Sequence, residues 1–205
     1  MAGAKLLFPV GHDLGAFHPG DGESGPVQQV RLGSELVELS DSEFLVWTLA
    51  HGLVDDDGQS VPITEAAILD YADEPGSVHS LAERGLLVEV VPGSPESVQF
   101  ASIHQLLPLA MGLGNSRDQP WLFAVGLLYR PLVVMTGAMY DLWQWAHLSP
   151  NLWLACRELA AVATGAGIAD PEQTEPELVL AGALGSLHQL LALRVACLDT
   201  RIEGL

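Results

Sequence analysis

Lysine is almost missing from this chain. Lys5 is the only one, and seven arginines bring the basic total to 8 against 26 acidic residues, a formal charge of −18. Phosphate contacts require a surplus of Lys and Arg, so the balance argues against a general nucleic-acid binder. It argues equally against attraction to anionic membrane surfaces. Cysteine is nearly as scarce: Cys156 and Cys197, each in an apolar stretch, are too few for a disulfide framework. They read as buried free thiols of a cytoplasmic protein in a reducing compartment. A secretory signal is not expected either, because the apolar run Leu6 to Val10 is short, broken by Pro9 and followed by His12 and Asp13. No complete catalytic motif occurs, and an enzyme is the least supported reading.

The 205 residues are 49% hydrophobic and 17% charged, enough apolar material for a proper core. Two stretches approach the length of a membrane span, Trp121 to Tyr140 and Leu178 to Leu198. The first carries Arg130-Pro131 at its middle and the second carries His188, Gln189 and Arg194, with no partner evident for the charge. Both are expected as helices of a soluble core.

Leu6 to Val10, Gln28 to Leu32 and Leu36 to Leu39 read as short strands separated by Gly, Pro and Asp-rich turns. Ser40-Asp41-Ser42-Glu43 has the spacing of a capping box and opens a helix that ends near Gly52. Asp55-Asp56-Asp57-Gly58 reads as a solvated loop. Its register fails as a calcium site, since the first and twelfth ligand positions fall on Leu53 and Thr64. Ile63-Thr64 opens a second helix to about Ala72, and Ser77 is expected to cap a third, Val78 to Arg84, stopped by Gly85. Leu86 to Val91 and Val98 to Ile103 then read as a β-hairpin turning at Pro92 to Ser97.

Three helices followed by a hairpin, over residues 40–105, resemble a winged helix-turn-helix. The most specific piece is Ser77-Val78-His79-Ser80-Leu81-Ala82-Glu83-Arg84-Gly85-Leu86-Leu87-Val88-Glu89-Val90. Residues 1–100 hold seventeen acidic residues against Lys5, Arg31 and Arg84, and the third helix offers only His79 and Arg84 to a DNA groove. Such a face repels phosphate. A short sheet ahead of a three-helix winged unit also resembles, in element order, the peptide-binding recognition element of peptide natural-product pathways. That resemblance implies a leader peptide added as a strand in a groove between Leu36, Val37, Glu38 and Leu39 on the third strand of the sheet and Val78, Leu81, Ala82 and Arg84 on the third helix. In acidity and tandem winged helices the chain is similar to accessory subunits of chromosome-condensation complexes. Both resemblances imply a protein partner.

The second half reads as a degenerate copy of the first. Phe44-Leu45-Val46-Trp47-Thr48-Leu49-Ala50-His51 aligns with Tyr140-Asp141-Leu142-Trp143-Gln144-Trp145-Ala146-His147, and Gly76-Ser77-Val78-His79-Ser80-Leu81 aligns with Gly185-Ser186-Leu187-His188-Gln189-Leu190. The same order of matches places Leu36 to Ser40 on Leu132 to Thr136. Residues 111–120 are expected as the linker, separating residues 1–110 from a helical domain over 121–205. The apolar stripe Leu180, Leu184, Leu187, Leu191, Val195 and Leu198 belongs either to the domain centre or to a homodimer seam.

Other candidate sites reduce to simpler readings. Gly11-His12-Asp13-Leu14-Gly15 has the spacing of a nucleophile elbow, with Asp in the nucleophile place, but Pro19-Gly20 follows where a helix is required. It reads as a glycine-bounded turn. His12, Asp13, His18 and Asp21 match no zinc spacing and read as a polar loop. His51, His79, His147 and His188 fall at matched positions, which raises a pH switch or a metal beside the plainer role of packed or helix-end residues. Trp143, Trp145 and Trp153 read as core or dimer-seam residues.

The expectation is therefore a mainly α fold with small β (α+β): an N-terminal sheet, a winged helix and a helical second half. No cofactor, metal or catalytic residue is assigned. The leading function is a non-enzymatic acidic adaptor for a basic or amphipathic protein or peptide segment, with nucleic acid and membrane disfavoured as partners. The alternative is a winged-helix transcriptional regulator that dimerises through its C-terminal helices, with Arg84 and a few other arginines on DNA.

Overall fold

The structure is a computed structural model that describes residues 4–20, 25–54 and 60–200. The fold is α+β, and its first element, β1 (Leu6–Pro9), runs directly into a meander of β2 (His12–Phe17), β3 (Val27–Leu32) and β4 (Glu35–Leu39). The segment His12 to Phe17, expected as turn and loop, is thus a strand. A bulge between Asp13 and Gly15 gives it that irregular look. Gly33 opens the tight β3–β4 turn at φ +58, in the position where primed hairpin turns favour glycine.

Ser40 then caps α1 (Asp41–Leu49): its Oγ accepts from the Glu43 N–H while the Glu43 carboxylate accepts from the Ser40 N–H. The expected capping box is present. β5 (Leu53–Val54) pairs with β6 (Ser60–Val61), and Asp55 to Gly58, expected as a loop, lie outside the described residues. Thr64 caps α2 (Glu65–Ala72). The next helix, α3 (Pro75–Glu83), begins earlier than expected. Glu74 rather than Ser77 is its N-cap, because Pro75 has no N–H to lose and already holds a helical φ.

After Gly85 the chain enters β7 (Leu87–Val90), which pairs antiparallel with β1 and not with a following strand. The return strand expected over Val98 to Ile103 is instead α4 (Pro95–Ile103). The reason is local. Ser94 Oγ accepts from Ser97 N–H, Pro95 stands at the first helical position, and Ser97, Phe100 and Ala101 bury one helical face. A wing hairpin is therefore not formed at this place.

Residues 111–120 are not simply a linker. β8 (His104–Pro108) leads into β9 (Met111–Asn115), which forms a second meander with β10 (Leu122–Leu127) and β11 (Arg130–Thr136) in the order β11-β10-β9. The stretch Trp121 to Tyr140, expected as a core helix, is mostly this hairpin. Pro131 is tolerated because β11 is an edge strand, and a Cβ at Gly126 would collide with the Arg130 carbonyl at the bulge. Thr136 then caps α5 (Gly137–Trp145), followed by a 3₁₀ turn (Ala146–Leu148), α6 (Leu152–Gly165), α7 (Pro171–Thr174), α8 (Pro176–Ala192) and β12 (Ala196–Thr200). Among the described residues, no helix is long and apolar enough to cross a membrane.

Geometric details recur between the halves. The N-caps Ser40 and Thr136 and the buried Trp47 and Trp143 lie 96 residues apart in each case. α3 and α8 end in the same way, with Leu86 N–H donating to Leu81 O and Val195 N–H donating to Leu190 O. Each helix then delivers a strand to an antiparallel ribbon, β1–β7 in the first half and β8–β12 in the second. Both Trp indoles donate to a carbonyl at the end of a ribbon, Trp47 to Val10 O at 3.1 Å and Trp143 to Val195 O at 2.9 Å. Between the shared elements the halves diverge, α6 and α7 standing where the first half has β5, β6 and α2.

Two cores result, and β1 serves both. Leu6 and Phe8 pack with Phe100, Leu184, Leu187 and the second ribbon, whereas Leu7 packs with Val30, Trp47, Ile68 and Leu81. Alternation along a strand sends successive side chains to opposite faces, so β1 is buried on both. Its unpaired edge is satisfied from outside the ribbon: Leu7 N–H donates to Ile63 O, and His188 Nε2–H donates to Leu7 O. The stripe Leu180, Leu184, Leu187 and Leu191 on α8 is consumed in the chain's own core, along with Val195 and Leu198, and leaves no seam there for a second copy.

Truncating Phe8 to Ala should cost about 3–5 kcal/mol of stability, whereas Leu36→Ala, at a side chain 57% exposed, should change it by no more than about 0.5 kcal/mol. Urea unfolding of both variants checks this.

Candidate functional site

The groove implied between the sheet and the third helix is closed. Leu39, Val78 and Leu81 are buried in the chain's own core and present little apolar surface, while Val37 is half-buried and packs against that core. Leu36 and Ala82 are exposed. Arg84 bridges the gap: Nη2 donates to the Glu38 carbonyl at 2.7 Å and Nη1 to Glu43 Oε1 at 2.8 Å. Glu43 also accepts from Ser80 Oγ at 2.7 Å. Burial pushes the Glu43 carboxyl up, but hydrogen bonds from Ser40, Ser80 and Arg84 outweigh it and leave its pKa below the usual range. Across the gap between the strand and the helix residues, Arg84 meets Glu38 through a hydrogen bond, which takes up one carbonyl of the strand edge.

The matched histidines do not share environments. His79 and His147 are exposed, whereas His51 and His188 are buried. His51 Nδ1 meets the Trp47 carbonyl at 2.8 Å, and its Nε2 meets Arg194 Nη1 at 2.7 Å. Because guanidinium can only donate, Nε2 is the acceptor and the proton sits on Nδ1. Burial, reinforced by the Arg194 charge, lowers the His51 pKa to about 3. Burial lowers His104 and His188 as well.

Arg194 lines a cavity of about 400 Å³ where the first half meets the second. Its walls are the segment Gly11 to Gly15, His51, Leu109, Arg194, Ala196 and Cys197. Gly11 holds φ +112, and a Cβ there would stand 2.5 Å from Val30 Cγ1, so the wall is pinned by glycine. Arg194 stacks over the Trp47 ring, 5.4 Å from its centroid. Cys197 Sγ lies 3.7 Å from His12 Nδ1, but burial pushes the thiol up to about 12, so it is a thiol and not a thiolate. The charged groups on the wall are the Arg194 guanidinium and the Asp13 carboxylate. Beside it, Asp199 binds Arg31 at 2.7 Å and accepts from Gly33 N–H at 2.7 Å, tying the β3–β4 turn to β12.

A second concavity, a groove of about 280 Å³, lies between α5 and α6. Asp141, Leu142, Trp145 and Ala146 face Ala155, Glu158, Leu159 and Val162 across it. Spacings of three and four residues on both helices bring these side chains onto facing stripes. Trp145 is 55% exposed and Val162 69%, whereas Trp143, two residues earlier, is core. Trp153 is half-buried. Burial raises the Asp141 pKa, and Glu158 accepts from Ser149 Oγ at 2.6 Å. Sequence reading missed this groove because the exposed Trp145 and Val162 are distant in the chain. Their signal was an apolar residue on the outer face of each helix.

Among the described residues, no group of three or more His, Cys, Asp or Glu is placed to hold a metal ion; Asp21 lies outside them. No protein-family profile, curated protein or solved structure matches the chain.

The lowered histidines carry a signed pH dependence. Imidazoles of the unfolded chain take protons near 6.5, whereas His51 stays neutral to about 3. Its contribution is complete above pH 6.5 and is lost as pH falls through that window, removing ~2 kcal/mol by pH 5. Urea midpoints at pH 7 and 5 measure the loss, and His51→Gln should make it shallower. An equal loss in that variant would contradict the assignment.

Proposed function

We propose that this chain is a non-enzymatic, acidic protein-binding adaptor that receives a basic, amphipathic segment of a partner protein in the groove between α5 and α6. The observation that carries the reading is the groove's composition: an apolar floor with Trp145 and Val162 left exposed, flanked by Asp141 and Glu158, with no basic side chain among the described residues that line it. Exposed aromatic and aliphatic anchors in a concave site are where binding energy concentrates. The carboxylates select the sign of the partner's charge, and the chain's charge of −18 steers a cationic segment toward it. Arg157 on the same helix is exposed but lies off the stripe that faces α5.

The Arg194 cavity accords with the non-enzymatic part, since burial holds its thiol protonated and both His51 nitrogens are engaged. A reducing, cytoplasmic setting fits two buried free thiols. The regulator alternative is weakened because Arg84, its main DNA contact, is committed to Glu43 and Glu38.

The test uses a synthetic amphipathic helix of Leu and Lys, fluorescently labelled, and its anisotropy on titration. Val162→Asp and Trp145→Asp should each weaken binding by about tenfold or more. Leu36→Asp, which adds the same charge at an exposed apolar position outside the groove, should leave it unchanged. Equal weakening by all three, or by none, would contradict the groove as the site.

A further inference from the structure

We propose that the cavity around Arg194 is a binding site for a small α-amino acid, its carboxylate held by Arg194 and His12 and its ammonium group by Asp13. This site is separate from the α5–α6 groove and does not rest on the adaptor reading.

Four observations carry it. First, Arg194 sits at φ +53, directly after Leu193, at the position where the matched helix end in the first half has Gly85 at φ +71. A left-handed conformation favours glycine, and a residue held there against its preference marks a place where the side chain itself is needed. Second, the guanidinium is half-buried without a close counter-ion. Its only carboxylate neighbour among the described residues, Asp13, stands 4.0 Å away, and its 2.7 Å contact is to the neutral His51. Burial accordingly lowers its pKa. A partly buried guanidinium whose nearest carboxylate is 4.0 Å away can take an incoming anion at its exposed side, and the planar fork of Arg suits a carboxylate.

Third, His12 lines the same wall as Arg194, and its Nδ1 lies 3.7 Å from Cys197 Sγ, so Nε2 is the ring nitrogen we assign to the ligand's carboxylate. Fourth, Asp13 lies at the rim. Its Oδ1 accepts from Gly15 N–H, while Oδ2 is the oxygen nearest Arg194. A carboxylate ligand alone would face that negative charge. A zwitterion turns it into a partner, and a doubly charged phosphate is disfavoured by it. The cavity's volume is within the range of small-molecule sites, with the exposed Leu14 and Leu109 available to an aliphatic side chain.

The intact chain is tested by ligand-observed NMR and calorimetry with each of the twenty L-amino acids. Propionate, a carboxylate without the ammonium, and inorganic phosphate serve as controls. At least one amino acid is expected to bind with a Kd below about 1 mM, and propionate and phosphate about tenfold or more weakly. Arg194→Lys and His12→Phe should each weaken that amino acid about tenfold, and Asp13→Asn should weaken it while leaving propionate unchanged or tighter. His12→Phe keeps the test decisive if the Arg194 variant fails to fold, because His12 belongs to neither core. Absence of binding by all twenty at about 10 mM, phosphate binding as tightly, or binding indifferent to His12→Phe and Asp13→Asn would overturn the proposal.

Discussion

A short strand buried on both faces organises this molecule. β1 has only four residues, yet Leu6 and Phe8 complete one core while Leu7 completes the other. A strand in that position cannot leave its free edge unsatisfied, since a buried peptide group without a partner costs about as much as a lost hydrogen bond. Ile63 and His188 supply the partners, one from each half of the chain. Pro9 falls on the same edge as Leu7, where its missing N–H removes one donor that would otherwise need an acceptor. His188 adds a stacking contact on Phe8, with ring centroids 4.8 Å apart. The hydrogen bond and the stacking act on the same strand, so the two cores are coupled through it.

Polar contacts reinforce that coupling around the ribbon ends. Asp199 is almost wholly buried and is acceptable there because Arg31, Gly33 N–H and Thr200 N–H all meet it. Nearby, Trp47, His51 and Arg194 form a chain from α1 to the end of α8. Among the described residues, the Arg194 guanidinium has no carboxylate closer than Asp13 at 4.0 Å.

Much of the local structure was legible. Ser40 and Glu43 announce α1, Thr64 announces α2, and the short apolar runs beginning at Leu6, Gln28 and Leu36 are strands. The misreadings have physical causes. Val98 and Ile103 favour strands, and that preference masked the Ser94-Pro95 helix start. Met111-Gly112-Leu113-Gly114 looks like a linker because it is glycine-rich, but Gly112 is required where the strand passes the Tyr140 ring. The sites were less legible still. His79 and His188 sit in similar local sequence, and only tertiary packing exposes one and buries the other. Arg84 has the sign and position expected of a partner contact, yet its partners turned out to be internal.

The most direct measurement is site-specific photo-crosslinking in the native host, with a photoreactive amino acid at Val162 in the groove and, separately, at Leu36 beside the closed one. The account predicts a defined crosslinked partner segment from position 162 that carries basic residues on an amphipathic pattern, and none from position 36. Crosslinks to a partner from position 36 alone, or an acidic segment at position 162, would contradict it.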